Sequence, residues 1–371
     1  SVFFRVGWGL ERNRNGTDGV RSVLSLRAAL GRFDAPGAGL TISTSAGFRM
    51  DFGPGERRDL RTKATRTINM SEMGRALEET SDPPIRALYV YNCNPTATAP
   101  NQGRVVRALA REDLFTVVHE QVWTDTCALA DVVLPATTFL EHKEMCRQYG
   151  GYSLQWGEPV IAPRGEARSN HAVFAELARA MRFDGDAFAA SEEDIARATL
   201  GATRAASVDL ERLRAERFVP MPSVRPFVDV FPSRGHVDLS APPGPPNYRP
   251  APVDAHLPLS LISPASDKAI TSTLFELVPA GSATVAMSPS DAAARGLRAG
   301  DRARVWNSIG EVVLRVAVSD EIPAGVASIP KGLWRRATEN GWTANALAPD
   351  HVDELGGGAC YNDARVDVAP A

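Results

Sequence analysis

The sequence predicts an α/β chain in two parts: a parallel-sheet, Rossmann-like region, then a small closed β-barrel. Strands and helices alternate between residues 85 and 134, which calls for parallel strands joined by right-handed crossovers. Eleven of the 27 prolines crowd between Pro220 and Pro258. Such a stretch can neither pair in a sheet nor run as a helix, so it reads as a semi-rigid connector. Beyond it, short strands recur with turn signals between them, a pattern that suits a barrel. The expected domains are therefore residues 1–219, a linker over 220–258, and residues 259–371.

Taken in order, residues 2–6 (VFFRV) read as a buried strand. Residues 18–30 read as a helix with Val20, Val23, Leu24 and Ala28 on one face and Gly31 as its stop. Residues 34–66, rich in Gly, Pro and Arg, read as an irregular surface excursion. The α/β grammar then sets in with a buried strand over 85–91 and a turn over 92–95. A helix over 102–111 carries Val105, Val106 and Leu109 inward. It is followed by a strand over 114–119, a helical turn over 126–130 and a strand over 131–134. A further helix over 169–181 places Phe174, Leu177, Ala178 and Met181 at i, i+3, i+4 and i+7, with Ser169 as its cap.

In the second part, strands are expected over 259–262, 283–287, 303–307, 311–319 and 326–329. Val312, Leu314, Val316 and Val318 alternate along one of them, so one face is buried. Ser288 and Pro289 open a short helix that Gly296 closes.

Length and composition narrow the function classes. At 371 residues the chain exceeds one compact core. With 44% hydrophobic and 23% charged residues it is an ordinary globular sequence rather than a disordered one. No run of 18 apolar residues is present to form a membrane-spanning helix. A net charge of −3 gives no footprint for nucleic acid or anionic lipid. Of 41 basic residues only Lys63, Lys143, Lys268 and Lys331 are lysine, a skew read mainly as compositional. Cys93, Cys127, Cys146 and Cys360 form no CxxC, so this sequence carries no iron–sulfur or zinc-knuckle motif. His142 and Cys146 could share a helix face as metal ligands, although such a lone pair reads as accidental. Cysteine usage points by default to a reducing, cytoplasmic compartment. Because Ser1 is followed directly by an apolar strand, the chain is expected to be cut from a longer one.

Parallel sheets bind ligands beyond the carboxyl ends of their strands. The loops over 92–101, 120–126 and 135–144 occupy that position and offer Asn94, Glu120, Thr124, Asp125 and His142. Amides, a carboxylate and hydroxyls suit a purine edge and a ribose, and a helix N-terminus suits a diphosphate. No GxGxxG follows a strand, and neither GxxxxGK[ST] nor GxSxG occurs. Ordinary dinucleotide, P-loop and α/β-hydrolase readings therefore lack support.

These residues also carry a family resemblance. The segments GWGLERNRNGTDGV, VYNCNPTATAPNQ, VVHEQVWTDTCALADVVLPATTFLEHKE and GEARSN come first. SPASDKAITSTLFE, GLRAGDRARVWNSIGEVVLRVAVSDEIPAGV and NALAPD follow the proline-rich stretch. In this order they resemble the molybdopterin oxidoreductase family, the group of formate dehydrogenases, dissimilatory nitrate reductases and dimethyl sulfoxide reductases. The resemblance implies a molybdopterin oxidoreductase α/β region and a double-psi β-barrel dinucleotide-binding domain. It implies a molybdenum or tungsten ion held by two molybdopterin guanine dinucleotides, serving two-electron chemistry on a small-molecule substrate. Trp8 and Arg12 would line one pterin dinucleotide, and Asn94 would meet the guanosine diphosphate. Glu120 replaces an aspartate that usually accepts from guanine or ribose. His142 and Asn170 match nucleotide contacts. Ser263, Ser266, Thr271 and Ser272 lie on a loop that wraps the pterins, and Asn345 matches the NxL asparagine. Asn362 stands where many members have lysine, which puts one contact in doubt.

No catalytic residue or metal ligand is assigned within this sequence. In the family the cluster cysteines and the metal-ligating residue belong to the N-terminal half, so a 4Fe-4S cluster is expected there. The expected partners are that N-terminal half, the substrate and an electron-transfer subunit, with no nucleic acid and no membrane span. Two other readings stay open: a metal-free scaffold, as one subunit of respiratory complex I resembles, and a free-standing nucleotide-binding module.

Overall fold

The computed structural model describes residues 2–30, 37–183, 185–203, 208–221, 243–250, 253–266 and 269–371. Most of the expected linker, residues 222–242 and 251–252, lies outside the described residues. Compactness divides the chain into two units, and neither is continuous in sequence. One comprises Ser1–Gly7, Leu24–Arg66 and Pro135–Asp238; the other comprises Trp8–Val23, Thr67–Leu134 and Leu239–Ala371.

The second unit contains both the parallel sheet and the barrel. Strand Phe115–Glu120 lies between Ala87–Tyr91 and Val132–Pro135. Ala87 to Tyr91 pair in parallel register with Phe115 to His119. Val90 and Val118 pack with Cys127 on one core. Helix Gln102–Leu109 buries Val105, Ala108 and Leu109 with Leu77 and Leu114 on another. Asn101 caps that helix from a left-handed backbone (φ 51°), its side chain accepting from the Arg104 amide. Asn and Asp tolerate that conformation better than most residues.

Barrel order runs Thr284–Met287, Glu311–Val318, Arg302–Trp306, Arg365–Pro370, Leu259–Ile262, Val326–Ser328 and back to the start. Two contacts are parallel, Thr284–Met287 with Glu311–Val318 and Val326–Ser328 with Leu259–Ile262; the others are antiparallel. Parallel neighbours that are not joined by a hairpin need connections crossing the barrel ends, as in the double-psi arrangement. Val305, Val312, Leu314 and Val316 point inward together with Val285 and Leu259. Arg304 and Arg315 alternate outward. Ser288 accepts from the Asp291 amide at 3.1 Å, Pro289 follows it, and Gly296 ends the helix at φ +66°.

The first unit is built on an antiparallel sheet, Glu144–Arg147, Ser153–Gly157 and Phe218–Pro220, that the sequence signals did not announce. Helices Glu192–Ala202 and Leu210–Glu216 give it Leu200, Leu210 and Leu213, which pack with Phe48 and Trp156. Ser191 and Asp194 close a reciprocal capping box at the start of the first of these helices.

Three expectations need correction. Strand Phe3–Arg5 is not buried: among the described residues it pairs only with Gly39–Thr41, and Phe3 is 55% exposed. Helix Gly16–Ala29 starts earlier than expected and leaves Val20, Val23, Leu24 and Ala28 half-buried, while Asp18 and Arg27 are buried. Helix Asn170–Ala180 is capped by Ser169 as expected, yet Phe174, Leu177 and Met181 are exposed and only Ala178 is buried. No apolar core among the described residues takes that stripe in, so helical spacing alone did not decide its burial.

Candidate functional site

Strand Ala87–Tyr91 ends at Asn92, whose left-handed backbone (φ 53°) turns the chain toward a one-turn helix, Pro95–Thr98. Asn94 precedes that helix and is only 5% exposed. Its Oδ1 accepts from the Thr126 hydroxyl at 2.7 Å and the Thr96 hydroxyl at 3.1 Å. Its Nδ2 is buried with no partner. A buried donor left unpaired costs roughly 1–3 kcal/mol, so this amide is set to meet an acceptor.

The turn is sewn to the loops of the barrel. Asn345 Nδ2 donates to the Ala97 carbonyl at 2.9 Å, and the Tyr361 hydroxyl donates to the Thr98 carbonyl at 2.6 Å. Gln102 donates to the Thr96 carbonyl at 2.8 Å and accepts from the Thr343 amide at 2.9 Å. Of these, the bonds of Gln102 and Asn345 are buried; bonds of this kind fix positions as well as energy.

Between these segments lies a cavity of about 410 Å³. Trp8, Arg12, Ser263, Thr271 and Asn345, all expected cofactor contacts, line it together with Cys93, Lys331, Gly332 and Tyr361. The Arg12 guanidinium lies over the Tyr361 ring, 5.4 Å from its centroid. The Asn362 amide donates to the Arg12 carbonyl at 2.8 Å, which holds the 8–12 segment in place. Thr271 has a left-handed backbone (φ 52°), and its carbonyl would lie 1.6 Å from a Cβ at Gly332 (φ +77°). Only glycine fits there. Burial pushes the Cys93 thiol up, with a smaller push from the Glu120 charge, so Cys93 lines the wall as a neutral thiol.

The remaining expected residues are spread more widely. Ser272 is buried, and its carbonyl accepts from Trp334 Nε1 at 2.8 Å. Ser266 is half-buried on the same loop, beside residues outside those described. Glu120 is half-buried at its strand end, where burial and the Glu276 charge raise its carboxyl. Asp125 accepts from the Arg335 amide at 2.7 Å. Burial raises its carboxyl, against the opposing pull of Arg335 and Arg336. His142 and Asn170 belong to the other unit. His142 Nδ1 is 2.8 Å from the Thr137 hydroxyl, and Asn170 is the first residue of its helix.

Lys331, Gly332 and Tyr361 were missed by sequence reasoning. The one available signal was the scarcity of lysine, which makes any single lysine conspicuous.

His351, Cys360 and Asp363 gather close enough to suggest a metal site. Asp363 is already committed: Oδ2 takes Arg14 Nε and His351 Nε2, each at 2.8 Å, and Oδ1 takes the Arg14 amide. The Cys360 thiol is pushed up to about 12, first by burial and then by Asp363 and Asp353. Through these bonds Asp363 ties Arg14 to His351.

A parallel-sheet turn fastened to a closed barrel, with a polar and aromatic cavity between their loops, defines the class of α/β proteins that bind ligands beyond the carboxyl ends of their strands. Residues 1–180 match the family model described as molybdopterin oxidoreductase, and residues 267–365 match the molydopterin dinucleotide binding domain. The chain belongs to the molybdopterin oxidoreductase family. It is 33% identical to the probable oxidoreductase YoaE of Bacillus subtilis, over 99% of this chain and 56% of that protein. It is 25% identical to the trimethylamine-N-oxide reductase of Haemophilus influenzae, over 88% of this chain and 49% of that protein. The chain thus spans about half the length of the curated relatives it matches. Acetylene hydratase from Pelobacter acetylenicus shares the fold, with a TM-score of 0.68 at 19% identity over 88% of this chain and 50% of that one. No helix among the described residues is long and apolar enough to cross a membrane.

Proposed function

We propose that the protein is a molybdenum- or tungsten-dependent oxidoreductase in which this chain grips a bis-pterin guanine dinucleotide cofactor. The supporting observation is convergence: Trp8, Arg12, Ser263, Thr271 and Asn345 come from well-separated segments and line one cavity. The unpaired Asn94 amide nearby fits a ligand rich in acceptors. When bound, the metal would exchange two electrons with a small substrate by oxygen-atom or hydride transfer.

This chain's own part is binding and orientation. Trp8 and Tyr361 offer ring faces, Arg12 offers a cation, and the Ser263 and Thr271 hydroxyls offer donors. The cluster, the metal-ligating residue and contact with an electron-transfer subunit are assigned to the part of the protein outside this chain. The trimethylamine-N-oxide reductases among the relatives make reduction of a small N-oxide the reaction to try first. It consumes two electrons and two protons and releases the amine and water.

The test is elemental and nucleotide analysis of the full-length protein purified without oxygen. Molybdenum or tungsten, together with guanine nucleotide released by acid in proportion to polypeptide, is expected. Absence of all three would overturn the reading in favour of a metal-free scaffold.

A further inference from the structure

Two cations face the same cavity, and among the described residues no carboxylate is ion-paired with either. Lys331 and Arg12 both line it, and among the described residues neither forms an ion pair. Glu11, on the same wall, is in ion-pair contact with neither. Two other arginines of this unit are ion-paired, Arg14 with Asp363 at 2.8 Å and Arg104 with Glu78 at 2.7 Å. Arg12 is held by an aromatic ring and through its backbone, with no ion pair among the described residues.

Lys331 is also fixed in place. Its amide donates to the Pro264 carbonyl at 3.0 Å. The next residue, Gly332, sits against the Thr271 carbonyl where no side chain fits. Burial lowers the pKa of the Lys331 ammonium and the Arg12 charge lowers it further, so the two cations feel each other. Two like charges held together in a partly buried cavity are unfavourable unless an anion joins them. Around them stand the Trp8 and Tyr361 rings and the Ser71, Ser263 and Thr271 hydroxyls, partners for a phosphate ester carried on an aromatic base.

We propose that Lys331 closes a two-cation clamp with Arg12 on the diphosphate of the guanine dinucleotide, so that this cavity selects phosphorylated ligands. This rests on the reading given under Proposed function and adds a residue and a chemical preference to it. Lysine suits the task because a mobile point charge can follow a phosphate oxygen, while the planar Arg12 stays on its ring.

The experiment is calorimetry on the full-length protein freed of cofactor, with guanosine diphosphate and guanosine as the two probes. The unaltered protein should bind guanosine diphosphate more tightly. Lys331→Met should weaken that binding about tenfold, or ~1.4 kcal/mol, and leave guanosine unchanged, while Lys331→Arg should keep most of the affinity. Equal weakening of both probes, or no change in either, would overturn the clamp while leaving the cofactor reading intact. If the unaltered protein binds neither probe, the clamp and the cofactor reading fall together. If Lys331→Met does not fold, a salt series on the unaltered protein decides. Guanosine diphosphate affinity must fall with rising salt while guanosine affinity does not; a salt-independent diphosphate affinity would overturn the clamp.

Discussion

The barrel and the Asn170–Ala180 helix treat their apolar residues in opposite ways. In the barrel, Val285, Val305, Val312 and Leu314 are sealed inside a wall that closes on itself. In the helix, Leu177 is 39% exposed and only Ala178 is covered. A closed barrel supplies both sides of its own core, whereas a helix stripe must be met by another layer. Burial follows from closure in the first case and from a neighbour in the second.

Mutations can break that contrast or sharpen it. Gly332→Ala should have the largest effect, because the new Cβ would meet the Thr271 carbonyl at 1.6 Å. Its cost in urea unfolding should exceed the ~1–3 kcal/mol of backbone strain alone. Leu314→Ala should lower stability by about 2–5 kcal/mol, since the barrel cannot collapse around the lost side chain. Asn345→Ala should cost about 1–3 kcal/mol by leaving the Ala97 carbonyl without its donor. Leu177→Ala, on the exposed stripe, should stay within about 0.5 kcal/mol. A loss at Leu177 equal to that at Leu314 would erase the distinction between the two regions.

Acid titration sharpens the picture between these last two in size. Burial pushes the Asp363 carboxyl up, but hydrogen bonds from His351 and Arg14, with the Arg14 charge, more than offset this and hold it below its usual range. A depressed carboxyl contributes stability that is complete above its unfolded pKa, about 3.9. That contribution disappears as pH falls through the lower folded value. Asp363→Asn should therefore cost about 1.5 kcal/mol at neutral pH, the lower end for bonds to a charged group. The difference from the unaltered protein should shrink progressively below about pH 4, measured as the urea midpoint against pH.

What could be read in the sequence was what is local. The alternation over 311–319, the Ser288 cap and the Gly296 stop depend on neighbours along the chain, and they recur in the structure. The family segments likewise pointed to Trp8, Arg12 and Asn345, which meet in one cavity. Lys331 and Tyr361 escaped because their importance lies in what stands opposite them. The sheet that includes Glu144–Arg147 escaped because its strands are short and one partner, Phe218–Pro220, lies more than sixty residues away in sequence. The burial of Asp18 and Arg27 inside an ordinary-looking helix has no signature in periodicity. Nor does composition record that Asn345 and Ala97 belong to one compact unit across the proline-rich stretch.

That last bond carries a temporal consequence. Asn345 and Ala97 are 248 positions apart, and Gln102 and Thr343 are 241 apart. Long-range closure of this kind is slow, and its entropy must be met before the bond gives anything back. While the ribosome is still adding the barrel strands, the Asn94 turn has no opposite wall and no cavity exists. The cavity has both of its walls only once translation has passed Asn345 and Tyr361.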